Sequence, residues 1–469
     1  MVKRKIVVWL FPLLFLWTQA VDGYEDNESI YYVIIDRFNN VNLSNDGEKN
    51  LADLNTYQGG DLAGVTDKLD YIQDMGFTVV ALSPVMESDH YDGQAIVNFE
   101  QLDEHWGTME ELNELTDAAH QRGMKVIVDF HGKVSEGHEW RNDAEKKEWL
   151  VDSGSTLNLS NEEVQDYVIN VLTNWMNDGN IDGFRFLQVE EAPYAFWERV
   201  IKELKSQKKD SFLIANVSDV DLDQYETLSF DAFMDENVRK EITGAFSTVN
   251  MSLKGVDEAF NKDVRVIASM DDAGTKRFTR TAFEQKQFPV TRSMLALAYM
   301  YASPSIPFVV YGSEVALDGG EGALNDRVMS FRTSTEIVDY IKDLANLRKS
   351  FPALQHGSYE ALYEKDGVLV FKRSLEDEDV LVAINNTTNT QKVTLSYDML
   401  SEGNELHGQM VGGVIRGDDE GYTLVVERES AEFFVVSDEK GINYLFVSVF
   451  LIIPLLFIVF LRLANRKKS

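Results

Sequence analysis

Four carboxylates in two short segments are the first candidates for chemistry: Glu190 and Glu191 just past one apolar run, and Asp271 and Asp272 just past another. Two carboxyl groups roughly 5–5.5 Å apart across a glycosidic bond serve as nucleophile and acid/base. Glu190 and Glu191 could form such a pair with Asp219 or Asp272. The chain carries 78 Asp and Glu, so an acidic cluster of this kind is also expected by chance. Two further positions are informative through what they lack. Gly183-Phe184-Arg185-Phe186-Leu187 sets a lone cation in an apolar run that ends in a hydrocarbon, and Phe212-Leu213-Ile214-Ala215-Asn216 ends in an amide. A hydrocarbon cannot act as a nucleophile, and an amide cannot donate a proton as an acid at neutral pH. His90, Tyr91, Trp106, His138 and Trp140 could stack on sugar rings, with loop packing an equal reading for each. Asp36, Asn40, Asn42, Asn45 and Asp46 offer oxygen ligands of the kind calcium takes, or form a polar turn. With no cysteine, disulfides and thiol chemistry are excluded.

These residues need elements that bring loop ends to one face. Short apolar runs at 30–36, 78–82, 125–130, 181–186, 212–216, 231–234, 264–269 and 306–310 alternate with helical spacing at 65–75, 109–122, 161–178, 194–205, 291–302 and 336–348. The pattern predicts an α/β chain whose residues 24–351 close into a parallel (β/α)8 TIM barrel, with an open doubly wound sheet as the alternative from periodicity alone. From 352 to 437 the texture becomes β-rich, with Asn-Asn, Gly-Asn and Asp-Asp-Glu-Gly between runs, and predicts a small antiparallel β-sandwich. Lys3, Arg4 and Lys5 precede an apolar stretch and Thr18-Gln19-Ala20, predicting a signal peptide over 1–20, with an uncleaved anchor as the alternative. Residues 444–461 are almost wholly apolar and are followed by Arg462, Arg466, Lys467 and Lys468. That predicts one C-terminal transmembrane helix over 442–463 and a basic cytoplasmic tail over 464–469. The expected location is the cell membrane, single-pass, with the body outside. A formal net charge of −34 argues against nucleic acid and anionic headgroups as partners.

Several segments, in this order, resemble those of the alpha-amylase superfamily (glycoside hydrolase family 13). They are Gly59-Gly60-Asp61-Leu62-Ala63-Gly64, Leu82-Ser83-Pro84, Leu102-Asp103 with Trp106-Gly107-Thr108, Val128-Asp129-Phe130, Gly183-Phe184-Arg185, and Pro307 with Tyr311-Gly312-Ser313-Glu314. The resemblance implies a TIM barrel, a C-terminal sandwich and action on α-glucans. It also implies roles by position. The family nucleophile position is Leu187 and the acid/base position is Asn216, so both are vacated. The third carboxylate is kept as Asp272, and a sugar-binding His is replaced by Asp271. A calcium-binding Asn and a neighbouring His become Gly132 and Lys133, Thr156 stands for another Asp, and Glu190 stands for a substrate-contacting Lys or His. The family calcium site is therefore expected to be lost, leaving no cofactor. The excursion over 131–160 is reduced, which implies an open, shallow pocket.

These expectations combine into a membrane-tethered, amylase-like protein, catalytically inactive and binding an α-glucan or other saccharide through Arg185, Asp271, Asp272, Tyr91 and Trp106. One alternative is an active α-glycosidase or transglycosidase using relocated carboxylates. Another is a partner subunit of a membrane protein complex, by analogy with the heavy chains of amino acid transporters.

Overall fold

The computed structural model describes residues 27–438, apart from 48–49, 219–221, 261–263, 321 and 401–403, together with Leu456. Eight short apolar runs make the barrel strands: β1 (Ile30–Val33), β2 (Val79–Leu82), β3 (Lys125–Phe130), β4 (Gly183–Phe186), β5 (Phe212–Val217), β6 (Ala232–Asp235), β7 (Val266–Ser269) and β8 (Ser305–Val310). All neighbours pair in parallel, and β8 returns to β1 with Ile30 beside Phe308, so the sheet closes and is not an open one. The strands read as unbroken hydrophobic stretches because one face fills the barrel and the other lies under helices. Gly183 has no substitute: a Cβ there would lie 2.0 Å from the Phe212 carbonyl oxygen.

The helices follow their caps. Thr108 and Glu111 form a capping box at the start of Met109–Gln121, and Asn161 accepts from Glu163 N at the start of Glu162–Asp178. The single helix expected over 65–75 is instead two, Leu62–Asp67 and Leu69–Asp74, because Lys68 leaves helical geometry between them. The first strand ends at Val33 rather than continuing to 36. Asp36 is drawn into one helical turn, where its carboxylate accepts the backbone N–H of Gln58 and Gly59 at 2.8 and 3.0 Å. Between β5 and β6 the described residues hold only a 3-10 turn, Leu222–Gln224, so the regular alternation of strand and helix lapses there.

The C-terminal part is a six-stranded antiparallel sheet facing a two-stranded one. In the larger sheet, Val368–Leu375 and Glu378–Asn385 pair side by side and alternate their side chains. Val368, Val370, Leu381 and Ala383 turn to the smaller sheet with Val393, Leu395, Tyr422 and Leu424. Leu369, Phe371, Val380 and Val382 turn to the barrel. This period of two makes one sheet the shared wall of two cores.

Two buried arginines fasten this seam at the bottom of the barrel. Arg348 donates to Tyr301 O at 2.8 Å and Arg373 donates to Ala302 O at 2.7 Å, while both reach Leu354 O, at 3.0 and 3.1 Å. Tyr301 and Ala302 close helix Pro289–Ala302, whose last carbonyls lack intrahelical partners and carry partial negative charge. Burial pushes both guanidinium pKa values down, to about 10 for Arg348 and about 9 for Arg373, the latter also through repulsion from Arg348.

The expected cell-membrane location is corrected here. Among the described residues no helix is long and apolar enough to cross a membrane. The long helix Glu162–Asp178 alternates a buried stripe with charged residues. The segments read as a signal peptide (1–20), a span (442–463) and a basic tail (464–469) lie outside the described residues.

Candidate functional site

Barrel strands deliver their functional side chains at their C-terminal ends, and the centre of this mouth is a buried ion triad. Arg185, at the end of β4, donates from Nε and Nη2 to the two carboxylate oxygens of Asp129 on β3, at 2.8 and 2.7 Å. Its Nη1 reaches Asp272 Oδ1, beyond β7, at 2.7 Å. Tyr32 on β1 donates to Asp129 at 3.0 Å, and its ring lies 4.7 Å beneath the guanidinium. The Arg185 and Asp129 side chains are at most 1% exposed and that of Asp272 is 13% exposed. Burial pushes the Asp129 carboxyl up, against the opposing pull of Arg185. Burial disfavours charge on Arg185, but the two carboxylates outweigh it and hold its pKa well above the ordinary value.

The register of β4 and β5 places the two vacated positions. Phe186 pairs with Ala215, so Leu187 and Asn216, one step further along each strand, stand side by side at the rim. Leu187 N donates to Phe130 O at 2.9 Å, which ties this rim to β3 as well. Both side chains are half-buried, and neither carries an ionisable group.

The described carboxylates near these positions have other partners. Asp271 is buried, accepting from Phe278 N at 2.6 Å and Ser313 Oγ at 2.7 Å, so it holds the loops after β7 and β8 together. Asp272 is turned to Arg185. Glu191 is exposed and accepts from Gln188 at 2.7 Å. Glu190 sits on the 3-10 turn Val189–Glu191, near enough to Tyr225 to add to the upward push that burial gives that phenol. Asp219 lies outside the described residues.

Tyr91 lines a cleft of about 790 Å3 formed by the loops after β2, β7 and β8, with His90, Asp92, Lys276, Asn325 and Asp326. Its hydroxyl donates to Asp326 at 3.1 Å, and the Arg37 guanidinium stacks 3.7 Å behind its ring. Asp92, 2.6 Å from His90 Nδ1, raises that imidazole's pKa by hydrogen bonding, against burial. The lining mixes aromatic and planar polar groups, a composition that can stack on a sugar ring and bond its hydroxyls.

Two expected contact residues are placed differently. Trp106 is fully buried and meets the Tyr57 ring edge-on at 5.6 Å, so it offers no face to a ligand. Loop packing, the other reading open to it, is what its burial shows. Arg185 is likewise enclosed by its two carboxylates and reaches a ligand only through them. The described residues contain no group of three or more acidic or imidazole side chains able to hold a metal ion. At the position the resemblance gives to calcium, Gly132 O accepts Leu157 N at 2.8 Å, and Lys133 brings an ammonium where a hard cation needs oxygen. The donor set does not fit the ion. Asn40, Asn42 and Asn45 spend their amides on Asp46, Glu111 and the His105 carbonyl, as a polar turn does.

Sequence reasoning did not single out Asp129 or Asp326. Asp129 had a signal, a single acid near the end of an otherwise apolar strand. Asp326 had none, since Asn325-Asp326-Arg327 reads as any polar loop.

Known proteins bear on this geometry. "Alpha amylase, catalytic domain" matches residues 32–150, and "Alpha-amylase C-terminal domain" matches residues 357–434. An Anoxybacillus alpha-amylase structure is 38% identical with a TM-score of 0.85, covering 89% of this chain and 99% of its own. An alpha-amylase from Geobacillus thermoleovorans, complexed with acarbose, is 36% identical with a TM-score of 0.83, covering 88% and 99%. A beta/alpha-amylase of Paenibacillus polymyxa is 27% identical over 87% of this chain, which spans only 38% of that longer protein. A closed barrel, a C-terminal sheet domain and these two near-complete structural matches agree: the chain belongs to the alpha-amylase family.

Proposed function

We propose that this member of the family binds a saccharide without hydrolysing it by the family's route. The observation that carries the reading is that Leu187 and Asn216 directly follow the paired Phe186 and Ala215 at the rim, where retaining hydrolysis needs two carboxyls. Losing a nucleophile and an acid/base each costs large terms in rate. The nearby acids do not substitute for them: Asp129 and Asp272 are both held by Arg185, and Asp271 is spent on Phe278 and Ser313. The cleft at Tyr91 is the candidate binding surface, and the Geobacillus relative's complex with acarbose supports an α-glucan as its guest.

Purified protein is assayed with aryl glucosides, maltooligosaccharides and starch, alongside a pull-down on insoluble starch. The expected result is retention without turnover. The double substitution Leu187→Asp/Asn216→Glu should raise turnover at least about 100-fold over the wild-type background. Wild-type turnover that disappears in Asp272→Asn, or covalent labelling by a mechanism-based glycosidase inhibitor, sinks the reading.

A further inference from the structure

The bottom of the barrel carries a pocket with a charge pattern unlike the rest of the chain. It lies where β2 and β3 begin, beside helix Glu336–Ser350, and encloses about 320 Å3. Its floor is apolar, built from Phe77, Met124 and Ala345. Gly76 lets the helix come close, since a Cβ there would lie 2.4 Å from that of Ala345. Its rim is basic, with Arg122, Lys342 and Lys349 against the single lining carboxylate of Asp74, which is exposed. Lys342 and Lys349 stand seven residues apart on the helix, about two turns, so they share a face. Among the described residues neither ammonium has a hydrogen-bond or ion-pair partner. Arg122 spends Nε on Asp70 and Nη1 on Ala118 O, both at 2.7 Å, which leaves Nη2 over.

Elsewhere in this chain of net charge −34, lysines such as Lys68, Lys205, Lys208 and Lys276 each meet a carboxylate. Solvation alone accounts for a free lysine, but not for two of them set around an apolar floor. The chain itself supplies a complement. Asn27 lines this pocket, and the backbone is fixed there: Asn27 O accepts Thr78 Oγ1 at 3.2 Å, and Ser29 Oγ donates to Gly76 O at 3.1 Å. Directly before Asn27 stand Asp22-Gly23-Tyr24-Glu25-Asp26, three acids around one ring. Extended chain covers about 3.3–3.6 Å per residue, so every one of these side chains lies within about 18 Å of Asn27. The carboxylates match the rim, and the apolar body of a tyrosine matches the floor while its hydroxyl stays wet. An inorganic anion would match the rim and leave the floor without a guest.

We propose that residues 22–26 dock in this pocket, with Tyr24 on the floor and Asp22, Glu25 and Asp26 against Arg122, Lys342 and Lys349. The contact fastens the entry to β1 onto the last long helix before the C-terminal sandwich, and so joins the two ends of the barrel sequence. It is independent of the cleft at Tyr91 and of the vacated positions.

The test is hydrogen exchange on the full chain. The amides of residues 22–27 are expected to exchange at least about tenfold more slowly than in a free peptide of the same sequence. Lys342→Gln/Lys349→Gln changes two side chains that have no partner, so folding should be kept, and it should bring those amides to the free rate. Asp22→Asn/Glu25→Gln/Asp26→Asn should do the same, and joining the two sets should add nothing, because both remove one contact. Salt at about 0.5 M should weaken the protection in the wild type and leave the variants unchanged. Tyr24→Ala should lose protection that Tyr24→Phe keeps. Exchange at the free-peptide rate in the wild type, or protection that survives Lys342→Gln/Lys349→Gln, overturns the proposal. So does thermal stabilisation by inorganic phosphate that is equal in the wild type and in the segment variant, since the pocket would then be open to a free anion.

Discussion

Buried arginines stand at both ends of this barrel, and the two ends neutralise them differently. At the mouth, Arg185 is flanked by two carboxylates from β3 and the loop after β7. At the bottom, Arg348 and Arg373 bond only main-chain carbonyls, among them Tyr301 O and Ala302 O where helix Pro289–Ala302 ends. At the mouth a full positive charge sits between two full negative charges, largely out of water. The seam arrangement suits docking, because the C-terminal sheet needs a geometric match to a helix end rather than a balanced charge. A buried guanidinium is tolerated here on acceptors of two kinds, carboxylates at the mouth and main-chain carbonyls at the seam.

Removing one partner at the mouth should have the largest effect. Arg185→Met leaves Asp129 and Asp272 buried without a counter-charge, a loss of about 3–5 kcal/mol in stability. Urea unfolding measures it, and adding Asp129→Asn and Asp272→Asn should restore much of the loss. If the single and triple variants are equally unstable, the triad is not the unit described. A second test asks whether charge at the mouth must be paired. His131, just past β3, is buried between Gly93 O and Lys133 N, and burial lowers its pKa from 6.5 to about 4. As pH falls from 6.5 to 4 the unfolded chain takes up a proton that the folded chain refuses, so this residue's stability contribution is present above 6.5 and lost toward 4. The loss is about 3 kcal/mol. Unfolding free energies at stepwise pH should show a slope that His131→Gln flattens; equal slopes would break the claim. The smallest effect is expected at the seam. Arg373→Met leaves neutral carbonyls, not charges, without partners, which costs about 1–3 kcal/mol. Calorimetry should then show the sandwich melting apart from the barrel, whereas a single transition shifted like that of Arg185→Met would erase the contrast.

The membership of the barrel strands was readable from the chain because a parallel strand buried on both faces must be apolar along its length. Boundaries moved where a polar contact intervened, as at Asp36 and Lys68. The sandwich was readable from β-rich runs separated by Asn-Asn, Gly-Asn and Asp-Asp-Glu-Gly. That the same sheet also serves the barrel was not, since Leu369 and Val370 are equally apolar and only what packs on each face decides which core each joins.

The chain alone determined that Leu187 and Asn216 carry no carboxyl, since composition at a strand end needs no coordinates once Gly183-Phe184-Arg185 sets the register. Tertiary structure alone decided that these two residues are neighbours, that Arg185 serves Asp129 and Asp272 rather than a ligand, that Trp106 is buried, and that Tyr91 is held by Asp326, 235 residues away. Each of those facts depends on a partner delivered by a different strand or loop, and the affinity of a side chain for a distant partner leaves no periodicity in the sequence around it.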